Sequence, residues 1–362
     1  MHLLLVLGSN LACMDQNLHT FPDGDDPHDQ DSADPEDTGL DTGDTDDPDT
    51  DYDAGVTGRI CDPSGGDWVV GALVYVDADV DGDGTGDVYV EDLTDVDGRF
   101  TLTGLPAGTW TVYVEKGSFA TNFDVTLNGG MYELPDPECL LPPEIVVVTG
   151  AYDSIEDVLD RMGVEHDIVN GTSGNAHTTF LKDPSRMSDY DIIFLNCGMS
   201  DGWVNSKSEI GANLKSYVTS GGSVYTSDWS YYAFEVAFPD AITFYGNDNI
   251  SGDAYVGESG NVNADVIDAN MQAVLGKSTA NINYDLAAWA LMESANSTAT
   301  VLLEGDATYF DWNTWQMGEL KNVPLAVQIN PNGGNMIYTS FHNERQTTGD
   351  MDKMLEEIIL SL

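Results

Sequence analysis

Five aspartates fall within eleven residues from Asp77 to Asp87, and four of them, Asp79, Asp81, Asp83 and Asp87, follow the pattern D-x-D-x-D-G-x-x-D. Alternate residues of a tight loop turn their carboxylates toward one centre, and Gly84 permits the sharp bend. The chemistry this suits is a hard oxygen cage for a hard cation, Ca2+. A twelve-residue calcium loop closes with a bidentate Glu at its last position. Counted from Asp77 that place is Val88, counted from Asp79 it is Val90, and Glu91 stands one place beyond. The expectation is a short calcium loop built from Asp77, Asp79, Asp81, Asp83 and Asp87. The alternative is an exposed hairpin merely decorated with carboxylates.

A second group of reactive residues depends on where strands end. Ile145-Val-Val-Val-Thr149 and Asp191-Ile-Ile-Phe-Leu195 are continuous apolar runs, as expected of strands buried on both faces. Between them Ile155, Val158, Leu159 and Met162 share one helical face, with Asp153 placed to cap the helix. Ile210, Leu214, Tyr217 and Val218 stripe a further helix, which Gly221-Gly222 ends before the strand Ser223-Val-Tyr-Thr226. Strand and helix in alternation imply an α/β domain, a three-layer open parallel sheet with helices on both faces. Such sheets bind ligands beyond the carboxyl ends of their strands, and Asn196, Cys197, Asp228, Trp229, His342 and Glu344 all fall there. Nearby aromatic runs, Asp228-Trp-Ser-Tyr-Tyr232 and Tyr309-Phe-Asp-Trp-Asn-Thr-Trp315, would suit a carbohydrate or peptide ligand, although rings fill cores more often than they form platforms. No phosphate loop or dinucleotide turn is present.

Between Gly55 and Leu134 the period is different. Apolar and polar residues alternate in short runs bounded by Gly, Pro and Asp, which predicts an antiparallel β-sandwich without helices. Asp97-Gly98 suits a tight hairpin and Leu105-Pro-Ala-Gly108 a rigid corner. The stretch Thr94-Asp-Val-Asp-Gly-Arg-Phe-Thr-Leu-Thr-Gly-Leu-Pro-Ala-Gly-Thr-Trp-Thr-Val-Tyr-Val114 resembles the carboxypeptidase-regulatory and collagen-adhesin B-type sandwiches. That resemblance implies a stalk or spacer over residues 55–140. Some members carry a Lys to Asn isopeptide bond, a feature not carried over here, because Lys116 is the sole lysine of the segment and sits late in it.

Residues 144–362 resemble the class I glutamine amidotransferase-like superfamily. The resemblance rests on the opening strand and helix, on Tyr190-Asp-Ile-Ile-Phe-Leu-Asn-Cys-Gly198, on Gly221-Gly-Ser-Val-Tyr-Thr-Ser-Asp-Trp229, and on Met336-Ile-Tyr-Thr-Ser-Phe-His-Asn-Glu344. It implies a flavodoxin-like sheet with a nucleophile at the turn after the Gly-Gly strand and a His-x-Glu pair at His342 and Glu344. Active members place a cysteine at that turn, where a thiolate beside His attacks an amide carbon. Here the turn holds Ser227 and Asp228. A non-catalytic domain that binds a ligand or a protein partner is the first expectation; an amide or ester hydrolase using His342 with Asp228 or Cys197 is the second. A buried, inert thiol is the plain alternative for Cys197. Residues 230–320 match no part of the family pattern, and their loop-like composition suggests an insertion.

The chain has 362 residues, 12 Lys+Arg against 63 Asp+Glu, and a formal net charge of -51. Such a field repels nucleic acid and anionic membrane surfaces and draws cations. Residues 14–54 are Asp, Thr, Gly and Pro with almost no large apolar side chain, which predicts a disordered, self-repelling linker. The opening apolar run ends in Leu11-Ala12-Cys13 and resembles a lipoprotein signal peptide over residues 1–13, although no basic n-region precedes it. The resemblance implies a diacylglycerol on Cys13, hence export and anchoring at the bacterial cell envelope or surface; a plain secretory signal is the alternative. Cys61 and Cys139 flank the sandwich, where a disulfide would pin its first strand to its exit in an oxidising compartment; two buried thiols are the other reading.

Overall fold

A computed structural model of the protein describes residues 52–246, 250–311, 314–343 and 348–362. Residues 1–51, with the expected signal peptide, Cys13 and most of the linker, lie outside the described residues, as does Glu344. Among the described residues no helix is long and apolar enough to cross a membrane.

The first part is a sandwich of two four-stranded sheets. One pairs Ala54–Cys61 with Arg99–Leu105, Met131–Glu133 and Glu138–Cys139; the other runs in the order Val88–Leu93, Leu73–Ala78, Gly108–Lys116, Phe119–Leu127. Alternation gives each strand an inner row, as with Val74, Val76 and Ala78 or Val112 and Val114, all buried. Asp97-Gly98 does not close a hairpin as the sequence suggested. Its flanking strands Val88–Leu93 and Arg99–Leu105 belong to opposite sheets, and Gly98 takes φ 69° in the crossing between them. Leu105-Pro-Ala-Gly108 is a corner between sheets, fixed by the Trp110 indole N–H donating to the Pro106 carbonyl at 2.8 Å.

Cys61 and Cys139 form a disulfide that closes a span of 78 residues around this sandwich. A loop of that length removes on the order of 4 kcal/mol of chain entropy from the unfolded state. The double variant Cys61→Ser/Cys139→Ser should therefore unfold in urea with stability lowered by about 2–5 kcal/mol and a steeper slope, because the unbridged unfolded chain exposes more surface. A loss below about 1 kcal/mol would show that the bridge adds little.

The second part is an eleven-stranded mixed sheet. Five parallel strands come in the order Asp167–Val169, Ile145–Val148, Ile192–Leu195, Ser223–Ser227, Asn335–Thr339. Ile145–Val148 and Ile192–Leu195 are buried at every position, the result of helices covering both faces. The sheet does not stop at this parallel core. Long antiparallel strands Thr300–Asp311 and Gln316–Ile329 continue it, carrying with them most of the segment that the sequence pattern left unassigned. That segment is a β-rich extension rather than loop.

The two parts share one hydrophobic core. The C-terminal helix Gly349–Leu360 seals it, and its Glu357 accepts from the Lys116 ammonium at 2.6 Å, with both side chains almost fully buried. The same ammonium donates to the Val70 carbonyl at 2.9 Å, and the Ser118 amide donates to the Leu362 carbonyl at 2.8 Å.

Candidate functional site

Because the strands Ile192–Leu195, Ser223–Ser227 and Asn335–Thr339 run parallel and in register, their carboxyl ends deliver Cys197, Asp228 and His342 to one place. Asp228 follows its strand on a turn that leads through a short 3-10 segment into the helix Tyr231–Ala237. Its φ is 41°, a left-handed conformation that costs a non-glycine residue about 1–3 kcal/mol and persists only where the surroundings enforce it. The Tyr338 hydroxyl donates to the Asp228 carbonyl at 3.2 Å and helps to hold the turn.

The carboxylate of Asp228 is buried and its two oxygens face different partners. Oδ1 accepts from the Ala290 amide at 2.7 Å. Oδ2 lies 3.5 Å from the Cys197 sulfur and 3.6 Å from Nε2 of His342, whose side chain is 12% exposed. Burial raises the Asp228 carboxyl to about 6, against the opposing pull of His342 and the Ala290 hydrogen bond. Burial, and then the charge of Asp228, push the Cys197 thiol far above its ordinary range. Close backbone approach builds this corner: a Cβ on Gly150 would lie 1.9 Å from the Cys197 carbonyl oxygen, and Gly198 has φ 86°.

Asp153 joins the site from a direction the sequence did not suggest. The helix Ile155–Arg161 is preceded by Ser154 at its N-cap, with no side-chain capping bond, so Asp153 does not cap it. Its carboxylate instead accepts from the Ser227 hydroxyl at 2.5 Å and from the Asn343 amide at 3.0 Å. Burial raises its pKa, and the nearby His342 opposes that. Asp153 thus ties together the ends of three strands.

In front of these groups opens a pocket of about 410 Å3. Its far wall comes from the β-rich extension, through Tyr284, Ala288 and Trp289, where Tyr284 and Trp289 stack with centroids 4.1 Å apart. Trp229, Phe341, Tyr152, Leu286 and Met351 add to the apolar lining. Ala288 has φ 76°, so both the floor and the wall of this pocket carry a strained non-glycine residue. Among the aromatic residues singled out from the sequence, Trp229 faces the pocket while Tyr231 and Tyr232 are core. Trp315 is exposed and edge-on to Phe310. Nothing in the sequence pattern pointed to Tyr284 or Trp289.

In the aspartate loop, carboxylate oxygens of Asp79, Asp81 and Asp87 lie within 4.8 Å of one another. The Asp83 carboxylate accepts from the Thr85 hydroxyl and amide, and Asp77 sits exposed on its strand opposite Tyr89.

Residues 55–132 match the family model described as "Carboxypeptidase regulatory-like domain", so this part of the chain is such a domain. No curated protein sequence matches the chain. Among solved structures, a cytoplasmic protein of Salmonella typhimurium is 12% identical, with 70% of this chain and 95% of that one covered at a TM-score of 0.37. PurLQS of Thermotoga maritima is 14% identical, covering 60% and 98% at 0.39. The glutaminase domain of Trypanosoma brucei CTPS is 13% identical, covering 60% and 93% at 0.38.

Proposed function

We propose that the protein is an exported, surface-held binding protein, in which the carboxypeptidase regulatory-like sandwich is a spacer and the α/β domain recognises a small organic ligand, a carbohydrate or a peptide end, in the pocket above Asp228. One observation carries this reading: the strained, buried Asp228 turns a carboxylate oxygen toward Cys197 and His342 at the floor of an aromatic pocket. A charged group kept in such a place lowers stability, and selection keeps such groups where they act. The turn holds a carboxylate rather than the thiolate that amide transfer needs, which favours recognition over turnover. The disulfide supports export, since such bridges persist in oxidising compartments. The apolar signal-like run and Cys13 support a lipid anchor, and the charge of -51 argues against nucleic acid as a partner.

The test is a thermal-shift screen of small amines, carboxylates and sugars on the full chain. Hits should shift the melting point of the parent protein and lose that shift in Trp289→Ala, which removes one pocket wall. Hits that act equally on Trp289→Ala would refute the assignment of this pocket.

A hydrolase remains the second reading, on the strength of Asp228 facing His342 at a strained turn. There Asp228 would hold the imidazolium that forms as His342 takes a proton from water. Ester turnover that vanishes in His342→Ala, with ligand binding retained, would favour it.

For the sandwich we propose Ca2+ held by Asp79, Asp81 and Asp87, with Asp77 and Asp83 in support. Calorimetry on the full chain should give heat at millimolar calcium or below that Asp79→Asn/Asp81→Asn abolishes. No heat and no melting shift at millimolar calcium would end the proposal.

A further inference from the structure

Building on the pocket reading, we propose that Cys197, Asp228 and His342 form a three-ligand site for a zinc-class divalent ion at the pocket floor, with the fourth position open to the ligand. At 3.6 Å the gap between Asp228 Oδ2 and His342 Nε2 is too long for a hydrogen bond, while the Cys197 thiol donates to the same oxygen at 3.5 Å, an ordinary length for sulfur. Bonds from zinc to N, O and S of about 2.0–2.3 Å set two tetrahedral ligands about 3.3–3.6 Å apart. Both separations are thus also those of neighbouring ligands on one ion, and only the thiol proton would have to leave. The ligand atoms of all three residues lie within 4.8 Å of one another.

The donor set agrees. Thiolate, imidazole and carboxylate together are a borderline-soft set that suits zinc, unlike the all-oxygen loop of the sandwich. On binding, the thiol proton leaves to solvent, and the resulting thiolate and carboxylate balance the double charge of the ion. The surroundings already orient two of the three ligands. Asp228 Oδ1 is fixed by the Ala290 amide, which leaves Oδ2 to the site, and the Cys197 amide donates to Ser227 Oγ at 3.0 Å, whose hydroxyl is held by Asp153. Three protein ligands beside a 410 Å3 pocket leave the open position that structural zinc sites lack. A ligand donor atom, such as a carboxylate or an imidazole nitrogen, would complete the shell.

The experiment uses the full chain, dialysed against zinc in competition with a weak chelator and then analysed for metal. About one tightly held ion per chain is expected, retained by Asp79→Asn/Asp81→Asn/Asp87→Asn and reduced to near zero by His342→Ala and by Cys197→Ser. Loading the parent protein with Co2+ gives a readout that needs no variant to fold: a thiolate-to-cobalt charge-transfer band. A parent protein that holds no stoichiometric zinc, or binds cobalt without that band, overturns the proposal. The two readings also fail separately. A pocket ligand that binds equally with and without EDTA removes the metal and keeps the pocket; a thiolate-cobalt band without any small-molecule hit does the reverse.

Discussion

Asp228→Asn is expected to make the metal-free protein more stable while abolishing recognition at the pocket. The amide keeps an oxygen for the Ala290 N–H, and Asn tolerates the left-handed φ of 41° better than most residues. What it removes is a buried charge. With the folded pKa raised to about 6, Asp228 favours folding only while protonated. That contribution is complete below the unfolded value near 4 and is lost as pH rises through about 6. The gain on substitution should accordingly be near zero at pH 4 and reach about 1–3 kcal/mol at pH 8, read from urea unfolding in EDTA. A loss of stability at pH 8 would mean that the carboxylate is structural, and the functional reading of its strain would fall.

The opposite sign is expected at the Lys116–Glu357 pair. Lys116→Met strands the Glu357 carboxylate between the sandwich and the C-terminal helix, and uncompensated charges of this kind cost about 3–5 kcal/mol. Burial already raises the Glu357 pKa, with Lys116 opposing it, so protonation can relieve the variant. A raised pKa gives stability that is present in acid and lost as pH rises through it, so the defect should be small near pH 4 and grow toward neutrality. Lys116→Met/Glu357→Leu should recover most of the loss, because a buried pair replaced by apolar groups is often close to neutral. A single variant within about 1 kcal/mol of the parent at pH 8 would show that the junction does not depend on this contact.

These two sites illustrate what the sequence could reveal. Asp228, Cys197 and His342 were legible because buried parallel strands end in register, so residues just past those ends must meet. The sandwich was legible from its period of two and its turn residues. Lys116 and Glu357 were not, since they are 241 positions apart and meet only when the last helix docks. Asp153 carries the signature of a helix cap and was taken by Ser227 and Asn343 instead, a tertiary competition that local pattern cannot express. Tyr284 and Trp289 lie at the ends of antiparallel strands, with Ala288 in the loop between them, in a segment without clear alternation, and one wall of the pocket was hidden with them. The Asp97-Gly98 turn was identified correctly as a turn, but whether a turn pairs its strands or passes them to opposite sheets is decided by the second sheet.

We propose that the pocket above Asp228 is where this protein meets its ligand. A crystal structure of the full chain with a compound from the thermal-shift screen addresses it directly. The compound should lie between Trp289 and His342, with a polar atom directed at the Cys197, Asp228 and His342 cluster. A compound seated on the sandwich, or on the outer face of the β-rich extension with the pocket vacant, would contradict the claim.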